Sequence, residues 1–295
     1  MPPYNKVQRA SIAELTPPSE YLDGPEYVCE ILKIISDFKD IKTSWGIEVF
    51  SQEDFHDWSP KYHLTKSMVW LCHHDDYCES EIHLNDDALK DIFRAKTVKD
   101  SKIAQTLATL WHHRTIFNLE ADFSEKFNPA RFSELQFFLR ESFEQLKHPL
   151  KKAPLNKKHT TVLKFNNSTS EVVKSALQHY ATKTESILRQ PYDFGLMFCT
   201  ENPTDVSYME FKSPEKYDCN YGLIPEMSYE HCGKLGPYNI YDALTQMSKA
   251  GIRSKKVTTR GGVMKGGETS FAEVRKFLSE IRLWQQDYCV EGIWK

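Results

Sequence analysis

The residue types best placed to do chemistry fall in Gln190–Glu215, QPYDFGLMFCTENPTDVSYMEFKSPE. Two short apolar runs, Asp193–Thr200 and Val206–Ser213, read as strands joined by a turn at Asn202-Pro203. Residues two apart on a strand point the same way, so Glu210 and Lys212 share one face while Phe211 turns to the other. If the strands pair across the turn, Asp193 lies beside Lys212. Two carboxylates and an ammonium at one sheet edge would suit a divalent metal and a phosphate. Acid-x-Lys also occurs at Asp37-x-Lys39, Asp40-x-Lys42 and Asp100-x-Lys102; Glu210-x-Lys212 differs by sitting in an apolar strand that follows a strand opened by an acid.

The elements around this hairpin follow from periodicity and caps. A strand is expected at Thr160–Phe165, then a helix opened by the capping box Ser168-x-x-Glu171 and running to about Arg189. At 100° per residue Glu185 falls on the border of that helix's apolar stripe, so it either turns toward the sheet or remains a surface acid. Beyond the hairpin, Lys216–Leu235 reads as loop, Tyr238–Lys249 as a helix and Ile252–Thr259 as a strand; Ser270-x-x-Glu273 opens a final amphipathic helix to about Cys289. Arg253, Lys255, Lys256, Arg260 and Lys265 are the densest positive charge of this half, interspersed with Gly261-Gly262 and Gly266-Gly267. They read either as a phosphate-contacting strip or as a solvated basic hairpin.

The order Asp193, apolar hairpin, Glu210-x-Lys212 resembles the signature of the PD-(D/E)xK nuclease-like superfamily. The resemblance implies a restriction-endonuclease-like core: an α/β fold with a mixed central sheet flanked by helices. It implies Asp193 and Glu210 as ligands of Mg²⁺ (or Mn²⁺), with the Phe211 carbonyl as a further ligand, and Lys212 as the catalytic lysine. It also implies Glu185 as the additional acid on the preceding helix, and nucleic acid as the partner. Two departures stand out. The family's Pro-Asp is here Pro191-Tyr192-Asp193, and the strand usually found before the Asp strand is absent, a place open to Thr160–Phe165 or Trp45–Phe50.

The remaining chain sets the organisation. Residues 1–22 read as a mobile lead-in and residues 23–146 as a mostly helical N-terminal region. That region is expected to hold helices at Pro25–Phe38, Asp86–Ala95, Ser101–Phe117 and Ser133–Leu146, with strands at Trp45–Phe50 and Ser67–Cys72. Residues 147–159, KHPLKKAPLNKKH, read as a basic linker, and residues 160–295 as the nuclease-like core. His73, His74, Asp75, Asp76 and Cys78, with Cys72, His83, His112 and His113, are of types that bind zinc, but their spacing matches no closed tetrahedral set.

Composition excludes several classes. The chain has 295 residues and a net charge of −3, so a protein coated in basic residues is excluded while a local basic groove is not. No apolar run approaches the roughly 18–20 residues of a membrane span, and residues 1–21 lack the apolar centre of a secretory signal, so a cytoplasmic or nuclear location and no membrane partner are expected. Seven cysteines without CxxC spacing are expected as free thiols. Two functions follow from the resemblance: a metal-dependent nuclease of DNA or RNA, or a catalytically silent nuclease-like binding module.

Overall fold

The computed structural model describes residues 6–13, 15–16, 25–75, 77–119, 128–145, 159–166, 194–199, 228–233, 235–250 and 255–291. Eight strands are placed: β1 (Val7–Ile12), β2 (Thr43–Val49), β3 (Cys78–Leu84), β4 (Arg114–Asn118), β5 (Thr160–Phe165), β6 (Phe194–Cys199), β7 (Ser228–Gly233) and β8 (Lys255–Thr259). Each pairs in parallel with the next in sequence, and β8 pairs in parallel with β1, Ala10 opposite Val257 and Ile12 opposite Thr259, so the sheet closes on itself. Helices fill the connections that are described: α1 (Pro25–Asp37), α2 (Pro60–His74), α3 (Asp86–Arg94), α4 (Lys102–Thr109), α5 (Pro129–Gln145), α6 (Ile240–Lys249) and, after β8, α7 (Phe271–Glu291). Eight parallel strands closed in sequence order with helices between them constitute a (β/α)8, or TIM, barrel.

This corrects the expected restriction-endonuclease-like architecture. There is no mixed central sheet among the described residues; every barrel pairing is parallel. Nor is the first half a separate helical region: β1 to β4 come from it and β5 to β8 from the second half. Val7–Ile12, within the stretch read as a lead-in, is the strand that closes the barrel.

The reason is the direction in which the polar faces point. In β3, CESEIHL, Ser80, Ile82 and Leu84 alternate with Glu79, Glu81 and His83, and every residue except the half-buried Glu79 is buried. A barrel strand is covered on both faces, and here one face is charged, so the run loses the apolar signature expected of a parallel strand. Two further assignments changed, an expected strand and an expected helix. Ser67–Cys72 lies inside α2, where Thr65, Met68, Leu71 and Cys72 are buried at helical spacing and Trp70 is 63 % exposed. The expected helix Ser101–Phe117 ends at Thr109, and Arg114–Asn118 becomes β4.

The apolar core lies between barrel and helices. One part joins β1 and β2 to α1, α2, α6 and α7 through Ile12, Trp45, Ile31, Met68, Leu244 and Trp284. The other joins β3, β4 and β5 to α3, α4 and α5 through Leu84, Phe117, Leu163, Leu89, Leu107 and Leu139. A small third cluster, Ile116, Val162 and Met197, belongs to the opposite face of β4, β5 and β6, inside the barrel.

Of the histidines read as zinc candidates, His112 is structural. Their side chains form no metal-ion group among the described residues. His112 is fully buried; its Nδ1 lies 2.5 Å from the Leu110 carbonyl and its Nε2 2.6 Å from Thr115 Oγ1, which lies 2.9 Å from His159 Nε2. One proton arrangement satisfies all three contacts: His159 Nε2–H donates to Thr115, Thr115 donates to His112 Nε2, and His112 Nδ1–H donates to Leu110. Phe143 of α5 stacks edge-on against both rings, 5.3 and 4.9 Å between centroids. Burial pulls His112 down to about 4, against its backbone hydrogen bond, and burial with the neighbouring His112, His113 and Arg114 pulls His159 well below its ordinary range.

The unfolded imidazole protonates near 6.5 and the folded one near 4, so proton uptake favours unfolding. Stability present above pH 6.5 should fall as pH drops toward 4, by about 3 kcal/mol for His112 alone. Urea midpoints at pH 7, 5.5 and 4.5 measure it, and the His112 ring should stay neutral by NMR to pH 5; a flat profile, or a ring charged at pH 5.5, contradicts this account.

Candidate active site at the barrel mouth

Alternation along the strands turns one charged layer into the barrel. Ser11 donates to Glu81 Oε1 at 2.9 Å and Arg9 donates to Glu79 Oε2 at 2.8 Å. Both contacts join β1 to β3 past the intervening β2, a path that exists only through the interior. Glu81, 1 % exposed, also accepts from Arg114 and lies 3.0 Å from His83 Nε2. Burial opposes its ionisation, but Arg114, the His83 hydrogen bond and the charge on Arg9 outweigh that and hold the carboxyl well below the usual carboxylate range. Glu79 is held low in the same way by Arg9, Lys42 and Arg114 against its own burial.

Gly46 on β2 makes room for this arrangement. A Cβ there would stand 2.6 Å from the Ala13 carbonyl and 2.7 Å from His83 Nε2. The glycine therefore lets the imidazole lie across β2 and meet Glu81. One layer toward the strand C-termini, Glu48 of β2 is 7 % exposed and forms an ion pair with Arg260, Oε2 to Nη2 at 2.6 Å. Arg260 follows β8, so this pair ties two strands that flank β1 at the mouth.

The mouth opens into a cavity of about 350 Å³ lined by Asn118, Leu119, Lys164, Phe165, Asn166, Cys199 and Arg260. These residues stand at the C-terminal ends of β4, β5, β6 and β8. The described lining carries two cations, two amides and a thiol, and no carboxylate. Each amide offers a donor and an acceptor, and the cations offer donors only. Such a lining suits a small anion bearing further polar groups. In (β/α)8 enzymes the C-terminal end of the strands is where active sites are built.

The residues singled out from sequence are distributed differently. Asp193, Glu210, Phe211, Lys212, Glu185 and Arg253 lie outside the described residues. Lys255 is 1 % exposed with its ammonium 5.3 Å from the centre of the Trp284 ring, and burial lowers it to about 8. Lys256 is half-buried opposite Arg9 in the β1–β8 register. Lys265 is exposed and pairs with Glu273 at 2.8 Å, in a two-residue hairpin turned by Gly266 and Gly267, both at positive φ. Among the described ones, only Arg260 lines the cavity. Five described basic or amide positions that matter here, Arg114, Asn118, Lys164, Asn166 and Arg260, come from three βα segments, those of β4, β5 and β8. One signal for them was present in sequence: an apolar run ending in Asn recurs at Leu84-Asn85, Phe117-Asn118 and Phe165-Asn166, each at a strand end.

No protein-family description matches the chain, and no curated protein matches it. Among solved structures it is similar to phosphoribosyl anthranilate isomerase from Thermotoga maritima, with 12% identity over 94% of this chain and 99% of that one and a TM-score of 0.46. It is similar to N-(5'-phosphoribosyl)anthranilate isomerase from Pyrococcus furiosus, with 11% identity over 94% and 99% and a TM-score of 0.41. It is also similar to Aspergillus clavatus Sph3 in complex with GalNAc, with 10% identity over 95% and 99% and a TM-score of 0.42. At such scores these likenesses carry no argument about this chain's chemistry, and the barrel is read from its own strand order. The barrel overturns the resemblance to PD-(D/E)xK nucleases, and with it both the nuclease and the silent nuclease-like reading.

Removing one partner of a sealed ion pair leaves a charge buried without compensation, which typically costs 3–5 kcal/mol. Glu81→Gln should therefore lower unfolding stability by about 3 kcal/mol, and Arg114→Met by a similar amount, while the double substitution should lose much less than the sum. Chemical denaturation of the four proteins tests this; strict additivity would show that the pair does not interact.

Proposed function

We propose that this chain is a (β/α)8-barrel enzyme that binds a small anionic substrate in the mouth cavity and converts it by proton transfer. The observation that carries the reading is the cavity lining: Lys164 and Arg260, with Asn118 and Asn166, converge at strand C-termini. A concave site with few convergent polar groups is the usual form of a small-molecule site. Lys164 and Arg260 neutralise a carboxylate or phosphate, and the amides hold its other polar groups. In the partly enclosed space, the same cations stabilise negative charge that builds on the substrate as a proton leaves.

Two groups in the described interior are suited to move that proton. Glu48 is buried to 7 % exposure next to Arg260, and His83, its neighbour in the β2–β3 register, is oriented by Glu81. A histidine fixed by a carboxylate keeps one nitrogen engaged and one orientation, as general acid–base chemistry requires. Expectations of Mg²⁺ and of nucleic acid have no part in this reading.

The test uses inorganic phosphate and citrate as probes, each from 0.1 to 20 mM at constant ionic strength. Saturating the site should raise the melting temperature by about 3 °C, following mass action. Lys164→Met should abolish most of the rise with its own unliganded melting temperature near that of the wild type, and Arg260→Met should abolish it from a lower starting temperature, because the buried Glu48 loses its partner. Equal stabilisation of wild type and both variants would sink the assignment.

A further inference from the structure

The mouth carries more than the anion cavity. Phe50 and Trp58, on the segment leaving β2, are 40 % and 72 % exposed, and Tyr238, on the segment leaving β7, is 87 % exposed. Single exposed aromatic residues need no explanation, but these three stand on loops of the end where the cavity opens.

Trp58 is also held. Its ring stacks on His56 with centroids 5.7 Å apart and planes 14° from parallel. The segment below is locked: Asp54 accepts from the backbone of Phe50 at 2.6 Å and of Ser51 at 3.2 Å, and Ser51 accepts in return from Glu53. Lys61 lies 4.3 Å over the Phe50 ring and donates to the Glu48 carbonyl at 3.2 Å. Glu48 in turn holds Arg260, which lines the cavity. Phe50 is thus linked to the cationic cavity through Lys61, Glu48 and Arg260, and Trp58 belongs to the same segment leaving β2.

A flat indole with an open face binds the apolar face of a ring whose polar groups point elsewhere. One feature selects a chain of linked rings over a single planar base. The open rings lie on loops of two different strands, β2 and β7, so one compact ligand in a 350 Å³ cavity does not engage them all. A chain of rings does.

We propose that the mouth binds an acidic oligosaccharide, its carboxylate or phosphate between Lys164 and Arg260 and a neighbouring sugar ring stacked on Trp58. This rests on the reading of the cavity as an anion site. Here the anion identifies the end of the ligand in the cavity, and Trp58 makes the protein prefer several linked sugars to one.

Calorimetric titration of the full chain with galacturonic acid, trigalacturonic acid, maltotriose and adenosine monophosphate tests it. The acidic trisaccharide should bind about tenfold more tightly than the monomer, the gain expected of one stacked ring. Trp58→Ala should remove that gain and leave monomer affinity unchanged, Trp58→Phe should retain part of it, and Trp70→Ala, exposed on the flank of α2, should change nothing. The proposal is overturned if the trisaccharide binds no better than the monomer, if maltotriose matches it, if the nucleotide shows the larger dependence on Trp58, or if no saccharide binds. In the first three outcomes, stabilisation by phosphate that depends on Lys164 would leave the anion site standing; its loss together with all saccharide binding would remove both.

Discussion

Closure of the sheet by β1 against β8 is the constraint on which the other features depend. The two strands are separated by more than 240 residues, yet Val7–Ile12 and Lys255–Thr259 pair along their length. An open parallel sheet leaves two edges whose amides and carbonyls lack partners. Closing it satisfies them and at once creates an inside, which is the only place where side chains from β1 and β3 can meet past β2. The Ser11–Glu81 and Arg9–Glu79 contacts exist because of that closure.

An interior so small and so sheltered makes its charges interdependent. Glu81 bonds Arg114, His83 and Ser11 together, and none of the four is more than 5 % exposed. Ion pairs of this kind seldom add net stability over a well-packed apolar core, because desolvation offsets much of their attraction. Their effect is on geometry: three strands carry mutually dependent side chains, and one of these is an imidazole placed beneath the mouth. On the other side of the interior, Ile116, Val162 and Met197 fill the space with apolar groups. The barrel thus has a charged flank under Glu48 and His83 and an apolar flank under the cavity formed by β4, β5 and β6.

The cavity and the aromatic rim take their places from the connections, which all leave the strands at the same end. Asn118 and Asn166 extend two strand ends, Arg260 follows a third, and the locked segment after β2 carries Trp58. Buried charge below, cationic and amide groups at the opening and exposed rings on the loops form a graded sequence from interior to solvent. The basic residues of the β8 region are divided by that geometry. Arg260 serves the mouth, Lys255 is enclosed beside Trp284, and Lys265 pairs with Glu273 on the exterior.

Local pattern alone determined much of the secondary structure. Helices at 25–37, 86–94, 129–145, 240–249 and 271–291 and strands at 160–165, 194–199 and 255–259 follow from caps, periodicity and apolar runs. Those signals reside within a few turns of chain, where each residue's neighbours are its own sequence neighbours. What sequence could not decide was which strands face a second, inner compartment. VQRASI and CESEIHL read as polar because their charged positions look outward in any open sheet, and only closure turns those positions inward. The candidate site was hidden for the same reason. Its residues span 212 positions from Glu48 to Arg260, and a ring of eight parallel strands, rather than any local motif, brings them to one mouth.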